Sequence, residues 1–303
     1  MLKNRRSTLP FVFLGGAVLL WGTSFVAIKT AMDSFTPMTV MWLRMAIASL
    51  AFAPFWRKVP RPTYRRGDWR VLTLAALCIP CLYYLFEGYA VLFTTSSQAG
   101  VVSAIVPLLV AGGAWLFLKE RLTWRGAVGI GLSLAGVAAL SFGGAAQESA
   151  SNPLLGNGLE LLAMVAAAGS MLSIKHLSTR YDPWLLTGMQ AAVGTVFFAP
   201  LAFASSPASW LRAAPIAWVC VAYLGVAVSL AAFGLYNSAL TLMPASRASL
   251  AINLIPAVAL LAGWALRGES LTQVQVIACA VIVGAVLFAE SGPDPVTVEE
   301  PLG

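Results

Sequence analysis

Residues 103–123 read SAIVPLLVAGGAWLFLKERLT, and residues 252–272 read INLIPAVALLAGWALRGESLT. A shift of 149 aligns Pro107 with Pro256, Trp115 with Trp264, Glu120 with Glu269, Leu122 with Leu271 and Thr123 with Thr272, and also Ala99 with Ala248. Upstream, a shift of 146 matches Ser24 to Ser170, Ile28 to Ile174, Lys29 to Lys175, Pro37 to Pro183 and Pro54 to Pro200. Between them Tyr89 meets Tyr236 at a shift of 147. The offset drifts by three residues over half the chain, so the sequence is built from two repeats, 1–145 and 146–303.

Composition says where these repeats live. Of 303 residues, 59% are hydrophobic and only 10% are charged, with a mean hydropathy of +0.82. A soluble domain carries about 25% charged residues. Windows of about 20 apolar residues, the length that crosses a bilayer, recur at 9–29, 37–56, 71–94, 98–118, 124–142, 154–175, 184–204, 214–240, 246–266 and 273–290. Backbone amides in hydrocarbon must be satisfied within their own segment, so these runs are helices. A β-barrel would need alternating segments of about 10 residues instead. The expected fold is an all-α membrane protein with ten transmembrane helices. The first run starts like a signal peptide, but its length and the lack of an A-x-A-like site make it a spanning helix.

The loops orient the chain. Lys3, Arg5, Arg6, Arg57, Lys58, Arg61, Arg65, Arg66, Arg70, Lys119, Arg121, Arg125, Lys175, Arg180 and Arg247 all fall on one side, fifteen of nineteen basic residues. By the positive-inside rule both termini are cytoplasmic. The +7 net charge is thereby a topology signal and calls for no nucleic-acid partner. Each repeat holds five spans, an odd number, so the second enters from the opposite side. Inverted-topology repeats are the architecture of secondary transporters.

Trp21–Gly22, Lys29, Pro37 and Arg44, followed by SAIVPLL leading to LKERLT, and LAINLIPAV leading to LRGESLT, resemble the EamA family of the drug/metabolite transporter superfamily. The resemblance covers residues 12–290. Length and the aromatic third span are most similar to YddG-type aromatic amino-acid exporters. The resemblance implies a carrier of a bacterial inner membrane, with a central cavity lined by spans 1, 3, 4, 6, 8 and 9. It implies a small-molecule substrate, an amino acid or related metabolite, exported by alternating access without a cofactor. A carrier for another metabolite or drug class is the alternative.

One acid sits inside an apolar span. Glu87 lies in LYYLFEGYAVLF, residues 82–93, where a charge costs about 2.5–3.5 kcal/mol on insertion scales. It stands 8 residues from the end of its span near Thr95, and Arg44 stands 7 residues from Pro37 in the preceding span. At the helical rise these are depths of about 12 and 10 Å. Their repeat mates, Gly234 and Gln190, are both neutral. A charge pair between Arg44 and Glu87 is therefore expected; a substrate-ammonium or proton site is the functional alternative. Tyr83, Tyr84 and Pro80 share the Glu87 helix face, a wall that suits a cationic or zwitterionic substrate with an apolar side chain. Trp21 and Ser24 add a similar mix on the first span.

Pro107 and Pro256 are expected to break spans 4 and 9, a pointer to a binding site in transporters. Ser103, Asn237 and Asn253 are candidate polar contacts, either to substrate or between helices. Gly131 with Ala135 on span 5 and Ala280 with Gly284 on span 10 have small-xxx-small spacing, which permits close helix contact; scaffold packing is the expected role and a dimer face the alternative, with a monomer expected. Glu120 and Glu269 are expected to cap or pair at the surface. His176, the one histidine, sits at a helix end, and Cys78, Cys81, Cys220 and Cys279 lie in apolar runs as small hydrophobes. No H-E-x-x-H, G-x-S-x-G or Walker A motif is present, so neither an intramembrane enzyme nor direct ATP drive is expected.

Overall fold

The computed structural model describes residues 8–93, 102–142, 151–204, 210, 212–267 and 272–291. Among them the regular structure is helical. Helix α1 (Leu9–Met32) leads to α2 (Pro37–Phe52), which runs on as a 3-10 turn over Ala53–Lys58. Helices α3 (Asp68–Ala76) and α4 (Tyr83–Phe93) are joined through a π-helical segment, Leu77–Leu82. Helices α5 (Val106–Leu118) and α6 (Trp124–Phe142) follow. The second half holds α7 (Pro153–Leu177) and α8 (Pro183–Phe203). Then α9 (Pro215–Tyr223) and α10 (Phe233–Leu242) flank a second π-helical segment, Leu224–Ala232. Helix α11 (Ala245–Leu250), a 3-10 turn (Ala251–Leu254), α12 (Ile255–Arg267) and α13 (Gln273–Glu290) complete the chain.

Among the described residues, seven helical rods are long and apolar enough to cross a membrane: Leu9–Met32, Pro37–Lys58, Asp68–Ala90, Leu154–Leu177, Pro183–Phe203, Pro215–Leu242 and Ala245–Ala262. Val106–Leu118, Trp124–Ala139 and Gln273–Ala289 are shorter apolar helices. The protein is a multi-pass membrane protein. The start of the expected fourth span, Ala99, Glu269, Leu271, Lys3, Arg5 and Arg6 lie outside the described residues.

The helix starts are written in the sequence. Asp182 accepts from the N–H groups of Trp184 (2.8 Å) and Leu185 (3.2 Å), ahead of Pro183. Asn152 caps Leu155 at 3.2 Å ahead of Pro153, and Thr36 caps Thr39 at 3.4 Å ahead of Pro37. A cap followed by proline satisfies one orphan donor and omits another, and it presets φ for the first turn. Thr272 and Gln275 form a reciprocal capping box on α13.

Helix α1 packs on the α9–α10 rod and on α12, α2 packs on α8, and α4 packs on α7. The largest core joins Leu14 and Val18 to Val106, Val110, Met164 and Tyr236. Gly22 belongs to this packing: a Cβ there would collide with Val258, so only glycine lets α1 approach α12 this closely.

Helices α6 and α13 pair closely, but not through the expected residues. A Cβ at Gly136 would meet Ile282 at 2.7 Å, and one at Gly129 would meet Ala289 at 2.6 Å. Gly131 and Gly284 have nothing within 4 Å, and with Ala135 and Ala280 they face outward. Small residues recur on both faces of these helices, so spacing alone does not say which face makes the α6–α13 contact.

Candidate functional site

Two backbone irregularities organise the interior. The π-helical segment at Leu77–Leu82 contains Pro80, and Ile79 before it is extended (φ −127°, ψ 125°). Proline has no N–H to donate and the extended Ile79 interrupts the helix, so carbonyls one turn back and at the break itself lose their usual partners. Gln190 on α8 answers them: its Nε2 donates to Ile79 O at 2.9 Å and to Ser170 Oγ at 3.0 Å, with Ala75 O at 3.4 Å. The second π-helical segment, Leu224–Ala232, begins 147 residues after the first. There the repeat mate of Gln190, Arg44 on α2, donates from Nε to Ser229 Oγ at 2.7 Å. Corresponding side chains thus brace corresponding segments, each across to the other half of the chain. Apart from Pro80, nothing in the residue pattern announces these π segments.

This arrangement corrects the expected charge pair. Arg44 is 3% exposed and Glu87 is half-buried, yet they form no salt bridge. The Arg44 guanidinium lies 4.6 Å from the centroid of the Tyr84 ring. Tyr84 meets Tyr83 edge-on with centroids 5.1 Å apart, and the Tyr83 hydroxyl donates to Glu87 Oε1 at 2.6 Å. Cation and anion occupy opposite ends of a tyrosine pair. Equal depth does not pair them: the tyrosine pair links the guanidinium at one end to the carboxylate at the other. A cavity of about 10 Å³, room for one water at most, lies beside Tyr84, Ser229, Gln190, Thr187 and Phe233.

The other candidates divide into two groups. Trp21 packs near this centre, edge-on to Phe233 at 5.1 Å and tilted against Tyr236 at 5.3 Å between centroids. Ser24 donates back to the Trp21 carbonyl at 2.7 Å, which occupies its hydroxyl proton within its own helix. Asn237 donates to Thr187 at 2.9 Å and Asn253 to Ser133 at 2.6 Å, so both link helices rather than line the tyrosine pair. Pro107 and Pro256 each stand second in a helix that restarts one residue earlier, at Val106 and Ile255. The segment before the second is the 3-10 turn.

Ser103 led to a residue that sequence reading passed over. Its hydroxyl donates to Oε1 of Glu160 at 2.7 Å. Glu160 is 2% exposed, and its Oε2 has no hydrogen-bond partner. It lies on α7, which packs on α4, the helix that carries Glu87 and Tyr83. The signal was available: Glu160 is a lone acid within the apolar run 154–175, as Glu87 is in its own span.

The profile of the EamA-like transporter family matches this chain twice, over residues 9–142 and 154–290. The chain belongs to the EamA-like transporter family. Among curated relatives of this EamA-like transporter is an uncharacterized transporter, YetK, of Bacillus subtilis. It is 25% identical over 91% of this chain and 85% of its own length. An uncharacterized transporter of Archaeoglobus fulgidus is 28% identical, over 86% and 91% respectively. A "Probable terminal-alkyne amino-acid exporter" of Streptantibioticus cattleyicolor is 25% identical, over 89% and 90%. A solved crystal structure superimposes with a TM-score of 0.80 at 20% identity, over 94% of this chain and 99% of the other, which shows a shared fold.

The charged motif after α5 of the EamA-like chain takes an unexpected place. Glu120 is buried, not at the surface. Its Oε1 accepts from Ala245 N–H at 3.2 Å, and its Oε2 from Ser246 N–H at 3.3 Å and Ser246 Oγ at 3.2 Å. It caps α11 from across the chain. Beside it, Lys175 Nζ donates to Leu240 O at 2.8 Å and Met243 O at 2.9 Å. Together they close both sides of the α10–α11 turn.

Proposed function

We propose that this chain is a secondary exporter of small zwitterions with apolar side chains, aromatic or other apolar amino acids, that works by alternating access. One observation carries the reading: a buried cation, Arg44, and a half-buried anion, Glu87, lie near each other without pairing, separated by aromatic rings. An unpaired charge in the bilayer interior is costly and marks a substrate path. An amino acid supplies both missing partners, its carboxylate for Arg44 and its ammonium for Glu87. Tyr83, Tyr84 and Trp21 offer apolar and cation–π surface to the side chain. The relative bearing the name of an amino-acid exporter supports the same class.

In this proposal the chain has ten spans in two inverted five-helix units, 1–145 and 146–303, with both termini cytoplasmic in a bacterial inner membrane. The crossed bracing by Arg44 and Gln190 supports two units related as the repeat implies. Reporter fusions at Gly303 and within 143–152 then fall on opposite sides.

The test is flux from proteoliposomes of labelled tryptophan, phenylalanine and leucine, beside glutamate and lysine. The neutral amino acids should move, and Glu87→Gln should slow them at least tenfold, or about 1.4 kcal/mol. Flux of neither class, or equal flux through Glu87→Gln, sinks the reading.

A further inference from the structure

We propose that Glu160 and Glu87 form a proton-binding pair, with the proton resident on Glu160 Oε2 when no substrate is bound. The geometry is as follows. Asn152, which caps α7, donates its N–H to Phe93 O, the last residue of α4, at 3.1 Å. That bond ties the two packed helices at one end. Counted from it, Glu87 is 6 residues in and Glu160 is 8, depths of about 9 and 12 Å at the helical rise. Two carboxylates therefore stand at similar depth on helices that pack against each other.

Their partners are few. Glu87 receives Tyr83, and Glu160 receives Ser103 on Oε1 alone. No basic side chain forms a salt bridge with either among the described residues. On α4 itself Tyr83 and Tyr84 stand one turn beyond Glu87, and Tyr89, nearer the tied end, is exposed; the titratable groups of the other elements packed against α7 lie further along it. Cys78, in the same turn as Cys81, approaches Gly169, Tyr236 reaches Met171, and Asp68 binds Arg180 beyond the helix end. Arg247 belongs to α11, whose first turn meets Glu120 rather than Glu160.

A carboxylate oxygen that is buried, unpartnered and beside another carboxylate is the least tolerable form of that group. One proton removes both costs. It leaves a single negative charge, on Glu87, which ends the repulsion, and it turns the unpartnered Glu160 oxygen into a neutral hydroxyl, which needs no cation. Two like charges this close share a proton for the same reason in carboxylate dyads elsewhere.

Resting on the amino-acid reading above, the pair becomes the coupling device. A substrate ammonium at Glu87 supplies the positive charge that the proton supplied, so its arrival releases the proton from Glu160 to the water on the open side. The site holds one or the other, and transport becomes an exchange of a substrate ammonium for a proton.

Infrared spectroscopy of the full chain in nanodiscs, without substrate, tests the site itself. A carboxylic-acid carbonyl band is expected at neutral pH, lost on raising the pH and absent in Glu160→Gln. In Glu87→Gln the band should remain, with its midpoint lowered by about one pH unit because the like charge is gone. No acid band at neutral pH, or a band indifferent to Glu160→Gln, overturns the proposal. A band removed by sodium at fixed pH overturns it in favour of a sodium site. Should Glu160→Gln fail to assemble, Glu160→Asp must shift the band, and an unmoved band again overturns it. Proton release on adding tryptophan to unbuffered protein tests the exchange. Release at about one per chain, lost in Glu160→Gln, supports it. An acid band with no release refutes the exchange and leaves the proton site standing, while the amino-acid reading falls only if tryptophan flux is absent as well.

Discussion

Glu120 holds the backbone N–H of Ser246 at 3.3 Å, across 126 residues of sequence. The bond satisfies an orphan donor at the first turn of α11, and the same carboxylate takes Ala245 N–H as well. Replacement by alanine leaves both donors buried and unpaired. Glu120→Ala should cost about 1–3 kcal/mol, read as a lower melting temperature in detergent. A melt indistinguishable from the parent protein would show that the cap carries no energy.

Arg44 braces the π-helical segment at Ser229 as Gln190 braces its counterpart. Arg44→Gln should therefore keep stability within about 1 kcal/mol, while Arg44→Leu loses about 1–3 kcal/mol. The double change Arg44→Gln with Glu87→Gly should be additive to within about 0.5 kcal/mol, since the two side chains do not touch. A larger coupling, measured by thermal or denaturant melts, would mean that a direct pair forms in another state.

Gln190 is the acceptor-rich segment's source of hydrogen bonds. Gln190→Leu strands the Ile79 carbonyl in the interior, for an expected loss of about 1–3 kcal/mol. Gln190→Glu should be worse than Gln190→Leu, because it sets a second acceptor against carbonyl oxygens. Equal melts for all three proteins would refute the brace.

The α6–α13 contact separates two glycines cleanly. Gly136→Val should overpack against Ile282 and cost about 1–3 kcal/mol, whereas Gly131→Val faces outward and should melt as the parent does. The reverse order would restore the face chosen from spacing.

How much of this was legible beforehand differs by residue. The apolar runs and the interruptions at Pro107 and Pro256 followed from local chemistry, whereas the cap–proline starts at Pro37 and Pro183, equally local, were not among the expectations. A backbone in hydrocarbon must bond to itself, so a run of about 20 apolar residues has one solution. The two repeats, too, are a property of the string alone.

The tertiary structure decided which groups meet. Arg44 and Glu87 share a depth, but depth is one coordinate, and side-chain direction around each helix sets the other two. Tyr84 fills the space between them, and Ser229, in a π-helical segment that no composition announces, takes the guanidinium. Glu160 acquired its importance only because α7 packs on α4, which brings a second carboxylate beside Glu87. Glu120 found its partner 126 residues away, in a turn whose donors are orphaned only once α11 exists. Helices form from interactions within a few residues, so sequence fixes them; their contacts depend on packing of whole faces, which only the folded bundle specifies.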